Sequence, residues 1–263
     1  MPEWPLEAVL DGVAAAGFAA IGLDHYSLGD RDPKRVASAL RERGLVCSDL
    51  GIVRLGELRR ADVKALTGAA AALGAGLCIA AAYRTLTRDD AVRDLCAAAD
   101  LLAPAGIRLA FEFTSYGNPT SLADAVAICE EVGWERCGVL VDAWHVFRGG
   151  ESLADLAALD GGRIALVHVD DGAAEPLPDA LLDGRFHRLP PGAGAFPLDA
   201  FFDALAAAGY DGPVGVEVLS EDLRRLPPAE GARLLRNARL RSPSRPDRAS
   251  PGTRPRPRRR PWS

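Results

Sequence analysis

Four side chains able to bind a metal ion occur at similar positions in successive apolar segments of the second half of the chain. These residues are Glu112, Asp142, His168 and Glu217. A carboxylate flanked by Phe or Val in a buried strand is costly unless it is paired, hydrogen-bonded or bound to a metal. Three converging carboxylates would repel one another, and a divalent cation would remove that conflict. The residue types suit one Mn²⁺, Mg²⁺ or Co²⁺ ion, with Zn²⁺ also open.

Each of these residues also has a structural interpretation when it is taken alone. Glu112 or Glu217 could pair with an arginine, and His168 could be a hydrogen-bonded histidine of the core. Their occurrence at corresponding ends of four consecutive strands favours a shared metal site.

Further polar residues occur within three positions after two of the predicted ligands. His145 stands three residues after Asp142 and could contact a substrate, although a surface or supporting role is the alternative. Asp170 and Asp171 follow His168, where a carboxylate could orient the second ring nitrogen of that histidine.

The loop over residues 185–194 offers guanidinium groups to an anionic or hydroxylated substrate. Within it we select Arg188, for which a solvated loop charge is the alternative. His25 and the pair Tyr83-Arg84 are further candidates for the rim of the same site, with structural roles as the alternative.

The elements that would position these residues alternate regularly along the chain. Ala- and Leu-rich segments, several of which end in glycine, predict helices at about 5–16, 33–43, 59–74, 88–105, 120–132, 151–159, 197–208 and 229–239. Short apolar segments predict strands at about 19–24, 45–52, 77–82, 108–114, 137–142, 164–170 and 214–219. Continuous apolar strands indicate a parallel sheet covered on both faces, and the repeated strand–helix unit predicts an α/β fold, the (β/α)8 TIM barrel. An open, doubly wound sheet is the alternative, but no GxGxxG follows any strand.

The strand count is one short of a complete barrel. A helix is predicted almost directly after Met1, so that eight helices accompany seven strands. We therefore expect the first strand to be missing, which would leave unpaired backbone groups on strands 19–24 and 214–219.

The charge distribution argues against nucleic acid as a specific partner. Residues 241–263 contain eight Arg and one Asp and so carry a net charge of +7. Since the whole chain has a net charge of −5, residues 1–240 carry −12. Phosphate binding requires a basic surface, and the barrel domain predicted over residues 1–240 is acidic. The Arg-, Pro- and Ser-rich residues 241–263 are predicted to form a disordered tail.

The cysteines and the apolar segments indicate a cytoplasmic protein. Five cysteines occur without CxxC spacing in apolar segments, which is typical of buried free thiols. No signal segment is recognisable, and no apolar run reaches membrane-spanning length. We expect no membrane partner, and the chain could assemble as a homodimer or a homotetramer.

The candidate residues together resemble the xylose-isomerase-like barrel superfamily. The resemblance rests on Glu112, Asp142-x-x-His145, His168-x-Asp170, Arg188-x-x-Pro-Gly-x-Gly194 and Glu217. Over about residues 5–240 the chain is most similar to the sugar phosphate isomerase/epimerase group, which includes inosose isomerases and ketose 3-epimerases. It departs from that group in its missing first strand and in Ala193, where members often have Glu or Gln.

The resemblance implies a divalent-metal-dependent isomerase or epimerase of a small polyhydroxy carbonyl compound, namely a sugar, a sugar phosphate or a keto-cyclitol. Glu112 and Glu217 would bind the metal with Asp142 and His168, and would also act as acid and base on opposite faces of the substrate carbon. His145 and Arg188 would hold substrate oxygens. The reaction would pass through a metal-stabilised enediolate.

Three other functions are compatible with this scaffold. A dehydratase could act on a keto-inositol through the same enolate. An apurinic-site endonuclease would need three zinc ions and additional histidines, which the strands ending near Val53 and Ala82 do not supply. A non-catalytic sugar-binding or regulatory barrel is the third, and the complete ligand set argues against it.

Overall fold

Seven parallel strands form one sheet in which each strand pairs with the next along the chain. The computed structural model describes residues 4–82, 84–117 and 121–238. The strands are β1 (Ala20–Asp24), β2 (Val46–Leu55), β3 (Leu77–Ala82), β4 (Arg108–Glu112), β5 (Cys137–Asp142), β6 (Ile164–Val169) and β7 (Val214–Val216). Strands β5 and β6 are buried along their whole length, as parallel strands covered on both faces must be. All seven predicted strands are confirmed, although β2 extends to Leu55 and β7 ends at Val216.

Helices connect the strands and cover the outer face of the sheet. They are α1 (Leu6–Ala15), α2 (His25–Leu28), α3 (Pro33–Glu42), α4 (Arg60–Leu73), α5 (Arg88–Leu102), α6 (Leu122–Val132), α7 (Ala143–Gly149), α8 (Leu153–Ala158), α9 (Ala180–Phe186), α10 (Leu198–Ala207), α11 (Glu221–Arg225) and α12 (Pro228–Arg236). The sequence predicts eight of them. Helices α2, α7, α9 and α11 are four to seven residues long, too short to show a helical period, and each follows the carboxyl end of a strand. Across the described residues, no helix has both the length and the apolar character needed to cross a membrane.

The apolar side chains form two layers, because successive residues of a strand point to opposite faces of the sheet. An inner cluster fills the barrel below the strand ends and includes Ile79, Ala110, Leu140 and Leu166. A larger outer cluster lies between the sheet and the helices. Glu112 follows Ala110 at the next inward position of β4, which directs this carboxylate into the barrel mouth.

The barrel is open between β1 and β7. They are the first and last strands in the sheet order, and no ladder between them exists in the described part of the chain. On this side α1 and α12 approach so closely that a Cβ atom on Gly12 would lie 2.7 Å from the backbone nitrogen of Ala229. A cavity of about 510 Å³ is lined by both edge strands and extends to the barrel mouth. The structure therefore confirms a TIM barrel with the expected gap. The predicted tail over residues 241–263 and the predicted domain boundary at residue 240 lie outside the described residues.

Candidate metal and substrate site

The carboxyl ends of the parallel strands bring the four predicted metal ligands together. Asp142 and His168 are register partners on β5 and β6, and His168 in turn pairs with Gly215 on β7. Glu112 ends β4, and Glu217 directly follows β7. One ligand atom from each of the four side chains lies within 4.8 Å of the others. The geometry expected from strand ends that meet at one edge of the sheet is therefore present.

Local packing positions two of these side chains. The Oδ1 atom of Asp142 accepts a hydrogen bond from the backbone N–H of Trp144 at 2.8 Å, which caps α7 and fixes the carboxylate. On β7 a Cβ atom at Gly215 would lie only 3.1 Å from Cδ2 of His168. The absence of a side chain at residue 215 thus gives the imidazole room to face the other ligands.

Arg188 is buried among carboxylates and is not a solvated loop charge. Its Nη1 atom lies 2.8 Å from Oδ2 of Asp142, 2.6 Å from Oδ2 of Asp170 and 3.4 Å from Oε2 of Glu217. Its Nε donates to the carbonyl oxygen of Gly184 at 2.7 Å, which ties the side chain to α9. Since a guanidinium stays protonated at any working pH, Arg188 supplies a permanent positive charge behind the cluster.

Asp170 supports Arg188, which corrects the expectation that it orients His168. Its hydrogen bond within the described residues goes to the Arg188 guanidinium. The nearest charged partner of His168 Nδ1 is instead Oε2 of Glu217, at 3.5 Å. Asp170 lies two positions after His168 and therefore points to the same face but nearer the barrel mouth, where the loop that carries Arg188 enters.

Asp171 also has a different role from the one expected. Its two carboxylate oxygens accept backbone N–H groups from Gly192 at 2.9 Å, Gly194 at 3.0 Å and Phe196 at 2.9 Å. A Cβ atom on Gly194 would collide with this carboxylate. Gly194 is therefore needed for the Asp171 carboxylate to hold the loop that follows Arg188, and Gly192 is needed for its left-handed backbone conformation, φ 81°.

His145 is a neutral donor at the edge of the cluster. Its Nδ1 accepts a hydrogen bond from the backbone N–H of Ser115 at 3.1 Å, so the ring proton resides on Nε2. Burial lowers the pKa of His145 to about 4. The Nε2 atom lies 4.0 Å from Oε1 of Glu112 and faces the region where the ligands meet.

Burial and mutual charge separate the pKa values of the two glutamates. Burial, together with the charges of Glu217 and Asp142, raises the pKa of Glu112 to about 8. Burial acts in the same direction on Glu217, but His168 and Arg188 outweigh it and lower the pKa of Glu217 to about 2. For His168, burial favours the neutral ring, yet the adjacent carboxylates prevail and raise its pKa to about 10. The carboxylates of the cluster therefore favour a bound cation, or protons on Glu112 and His168, at neutral pH.

The sequence profile of the family described as Xylose isomerase-like TIM barrel matches residues 10–238. The chain belongs to this family. This xylose isomerase-like barrel is 29% identical to the inosose isomerase of Halalkalibacterium halodurans over 140 residues, 52% of this chain and 49% of that enzyme. It is 26% identical to the 3-dehydroshikimate dehydratase of Pseudomonas aeruginosa over 255 residues, which cover 83% of this chain and 37% of the dehydratase. The chain therefore spans about half the length, or less, of these two curated relatives, both of which are enzymes.

Among solved structures, the barrel superimposes on the IolI protein with a bound zinc atom. The TM-score is 0.80 at 21% identity, and the match covers 88% of this chain and 90% of that protein. A likeness at this level of identity establishes the shared fold.

Two of the predicted rim residues, His25 and Arg84, do not reach the cavity of this xylose isomerase-like barrel that is lined by the metal-ligand candidates Glu112, His168 and Glu217. His25 begins the exposed helix α2 and does not line that cavity. Arg84 bonds the carbonyl oxygen of Gly56 and is also absent from its described lining. Tyr83 lies outside the described residues.

Residues that the sequence reasoning missed also line the cavity, and Tyr26, Arg54 and Tyr116 are among them. The Tyr116 ring meets the His145 ring edge-on, with 5.3 Å between centroids. Arg54 had a detectable signal, because it is the single charged residue of the apolar run 50–55 that ends β2. The two tyrosines lie in loops or short helices without a periodic pattern, so nothing in the sequence marked them.

Proposed function

We propose that this protein is a divalent-metal-dependent isomerase or epimerase of a sugar, a sugar phosphate or a keto-cyclitol. The observation that carries the proposal is the convergence of three carboxylates and one imidazole within 4.8 Å at the barrel mouth. Its relationship to an inosose isomerase supports a polyhydroxy carbonyl compound as the substrate.

The residues present fit a divalent ion. Two atoms that each lie about 2.1 Å from one ion are at most about 4.2 Å apart. The four ligand atoms lie within 4.8 Å of one another, so their side chains need to move only slightly to bind one ion. Within the described residues, Nδ1 of His168 and Oδ1 of Asp170 are buried without a hydrogen-bond partner. Buried polar atoms are rarely left so, and an ion at Glu112, Asp142, His168 and Glu217 would satisfy the imidazole. The oxygen-rich set suits Mn²⁺, Mg²⁺ or Co²⁺, and Zn²⁺ is compatible.

The proposed chemistry is proton transfer next to a carbonyl group. A divalent ion bound at this site would polarise the carbonyl and acidify the neighbouring C–H. Glu112 and Glu217 reach the site from β4 and β7, so one can remove the proton and the other can return it. Return to the opposite face of the same carbon gives an epimer, and return to the adjacent carbon gives an isomer. The Nε2–H of His145 and the Arg188 guanidinium would hold the oxygens that gain negative charge in the enediolate.

Hydrogen exchange tests the proposal directly. With added Mn²⁺ in D₂O, a panel of ketoses and inososes should contain one compound into which the protein exchanges a single C–H. Glu112→Gln and Glu217→Gln should each reduce the exchange rate by about 10²-fold or more without changing the circular dichroism spectrum. Glu221→Gln, at an exposed glutamate of α11 that pairs with Arg225, is the matched control and should exchange normally. Unchanged exchange in Glu217→Gln would contradict the proposal.

A dehydratase is the second candidate, because the alignment with the 3-dehydroshikimate dehydratase covers 83% of this chain. The same base would remove the proton, and a hydroxyl group on the adjacent carbon would leave as water. The product would be an unsaturated ketone. Appearance of its ultraviolet absorbance, in place of an epimer or isomer, distinguishes this reaction.

A further inference from the structure

Two cations on the wall of the site cavity, Arg54 and Arg185, are not used by the proposed reaction. Arg54, near the end of β2, lines the same cavity of about 510 Å³ as Glu112, His168 and Glu217. We propose that Arg54 binds an anionic group of the substrate, so that this barrel acts on a polyhydroxy carbonyl compound carrying a carboxylate or a phosphate. The inference rests on the proposed function and names its substrate class.

Strand register places Arg54 at a useful distance from the four ligands. Arg54 pairs with Ala81 on β3, and Ala81 pairs with Glu112 on β4. Paired residues of parallel strands point to the same face of the sheet, and neighbouring strands lie about 4.8 Å apart. The Arg54 backbone is therefore roughly 10 Å from that of Glu112, on the same inner side. Its guanidinium is beyond the metal ligands and within reach of the far end of a substrate whose carbonyl lies at them.

Contacts with Tyr26 hold the Arg54 side chain at the cavity entrance. The guanidinium bonds the Tyr26 hydroxyl, and its carbon lies 5.4 Å from the centre of the tyrosine ring. Tyr26 itself is 63% exposed, so the pair is open to an incoming ligand. A guanidinium has five N–H donors in a fixed plane and can hold a tyrosine and an oxyanion at the same time.

The carboxylates around Arg188 make it less suited than Arg54 to bind an anionic group of the substrate. Three carboxylates, those of Asp142, Asp170 and Glu217, already surround Nη1 of Arg188. Together with the enediolate oxygens that Arg188 is proposed to hold, these carboxylates offset its charge, which leaves little attraction for a second anionic group. Arg54 lies on the other side of the mouth, where it can attract that group and turn the carbonyl end toward the four ligands. The same positive charge would give a neutral substrate no comparable advantage.

Binding measurements with charged and neutral probes test this inference. The Mn²⁺-supplemented protein would be titrated calorimetrically with 3-dehydroshikimate, which carries a carboxylate, with D-ribulose 5-phosphate, which carries a phosphate, and with an inosose, which is neutral. We expect one anionic probe to bind more tightly than the inosose. Arg54→Gln should weaken that probe about 10- to 100-fold, the effect of one lost charge-assisted contact, and change inosose binding by less than about twofold.

Two further variants keep the result interpretable. Arg54→Lys retains the charge and should recover part of the anion affinity. Arg59→Gln removes an exposed arginine that pairs with Asp62 and does not line the site cavity, and it should leave all affinities unchanged. Thermal unfolding of each variant shows whether it remains folded.

The outcomes also separate this inference from the proposed function. Equal weakening of charged and neutral probes in Arg54→Gln, no weakening at all, or a wild-type protein that does not prefer any anion would each overturn the role of Arg54. Such results would leave the proposed function intact if C–H exchange and Mn²⁺ binding persist. If the wild-type protein shows neither C–H exchange nor Mn²⁺ binding, the proposed function itself is rejected.

Discussion

Arg188 and Asp142 form a buried ion pair in which Nη1 lies 2.8 Å from Oδ2, with side chains 2% and 0% exposed. The contact joins the end of β5 to a loop 46 residues later in the chain. It orients a proposed metal ligand and ties the loop after α9 to the barrel mouth. The pair therefore links stability of the loop to geometry of the site.

Removal of Arg188 should destabilise the protein strongly. Arg188→Met leaves the buried Asp142 and Asp170 carboxylates without their cation, a change that costs about 3–5 kcal/mol in comparable buried pairs. Urea unfolding in the presence of a chelator measures the loss. The double variant Arg188→Met/Asp170→Asn removes one of the uncompensated charges and should recover part of it. A loss of less than about 1 kcal/mol in the single variant would show that the pair is not a main stabilising contact.

Crowding of His168 should weaken metal binding without unfolding the barrel. In Gly215→Ala the new methyl group would lie 3.1 Å from His168 Cδ2 and would push the ring away from the other ligands. We expect Mn²⁺ affinity to fall about tenfold or more, as measured by calorimetry. Gly68→Ala is the matched control, because a Cβ there meets nothing within 4 Å and Gly68 lies inside α4. That variant should bind Mn²⁺ normally and gain about 0.5–1 kcal/mol in stability. Equal Mn²⁺ affinity in the two variants would argue against His168 as a ligand.

Metal affinity should rise with pH. In the metal-free site the pKa of Glu112 is raised to about 8 and that of His168 to about 10, so both carry a proton at pH 7. A metal ion must displace those protons, and its apparent affinity therefore increases as the pH rises through 8. Calorimetry in buffers of different ionisation enthalpy should show proton release near pH 7. Glu112→Gln should release fewer protons, and an affinity independent of pH between 6 and 8 would contradict the prediction.

The buried thiols of Cys47 and Cys78 should resist alkylation. Burial and the charge of Asp49 raise the pKa of each thiol to about 12. Iodoacetamide at pH 8 should label the partly exposed Cys96 and spare these two cysteines until urea is added, as mass spectrometry can show. Since the folded pKa lies above the unfolded value, the neutral thiols stabilise the fold below about pH 8.5, and that contribution declines toward pH 12. Labelling of Cys78 in the native protein would show that its strand opens.

Much of the fold follows from local patterns in the sequence. Short apolar segments predict the seven strands, and Ala- and Leu-rich segments predict eight helices, two of which are capped by the side chains of Thr87 and Ser121. The four-residue cluster could also be predicted, because carboxyl ends of consecutive parallel strands must meet at one edge of a barrel. The gap between β1 and β7 follows from counting the strands.

The partners of the remaining site residues are decided by tertiary structure. Asp170 and Asp171 are adjacent in sequence, yet one bonds Arg188 and the other holds the backbone of the loop that ends at Phe196. Arg54 joins the site because β2 is two strands from β4 in the sheet. Strand periodicity determines on which face a side chain lies. Which distant charge it meets there depends on how loops close over the barrel, and loops have no periodicity from which their path could be predicted.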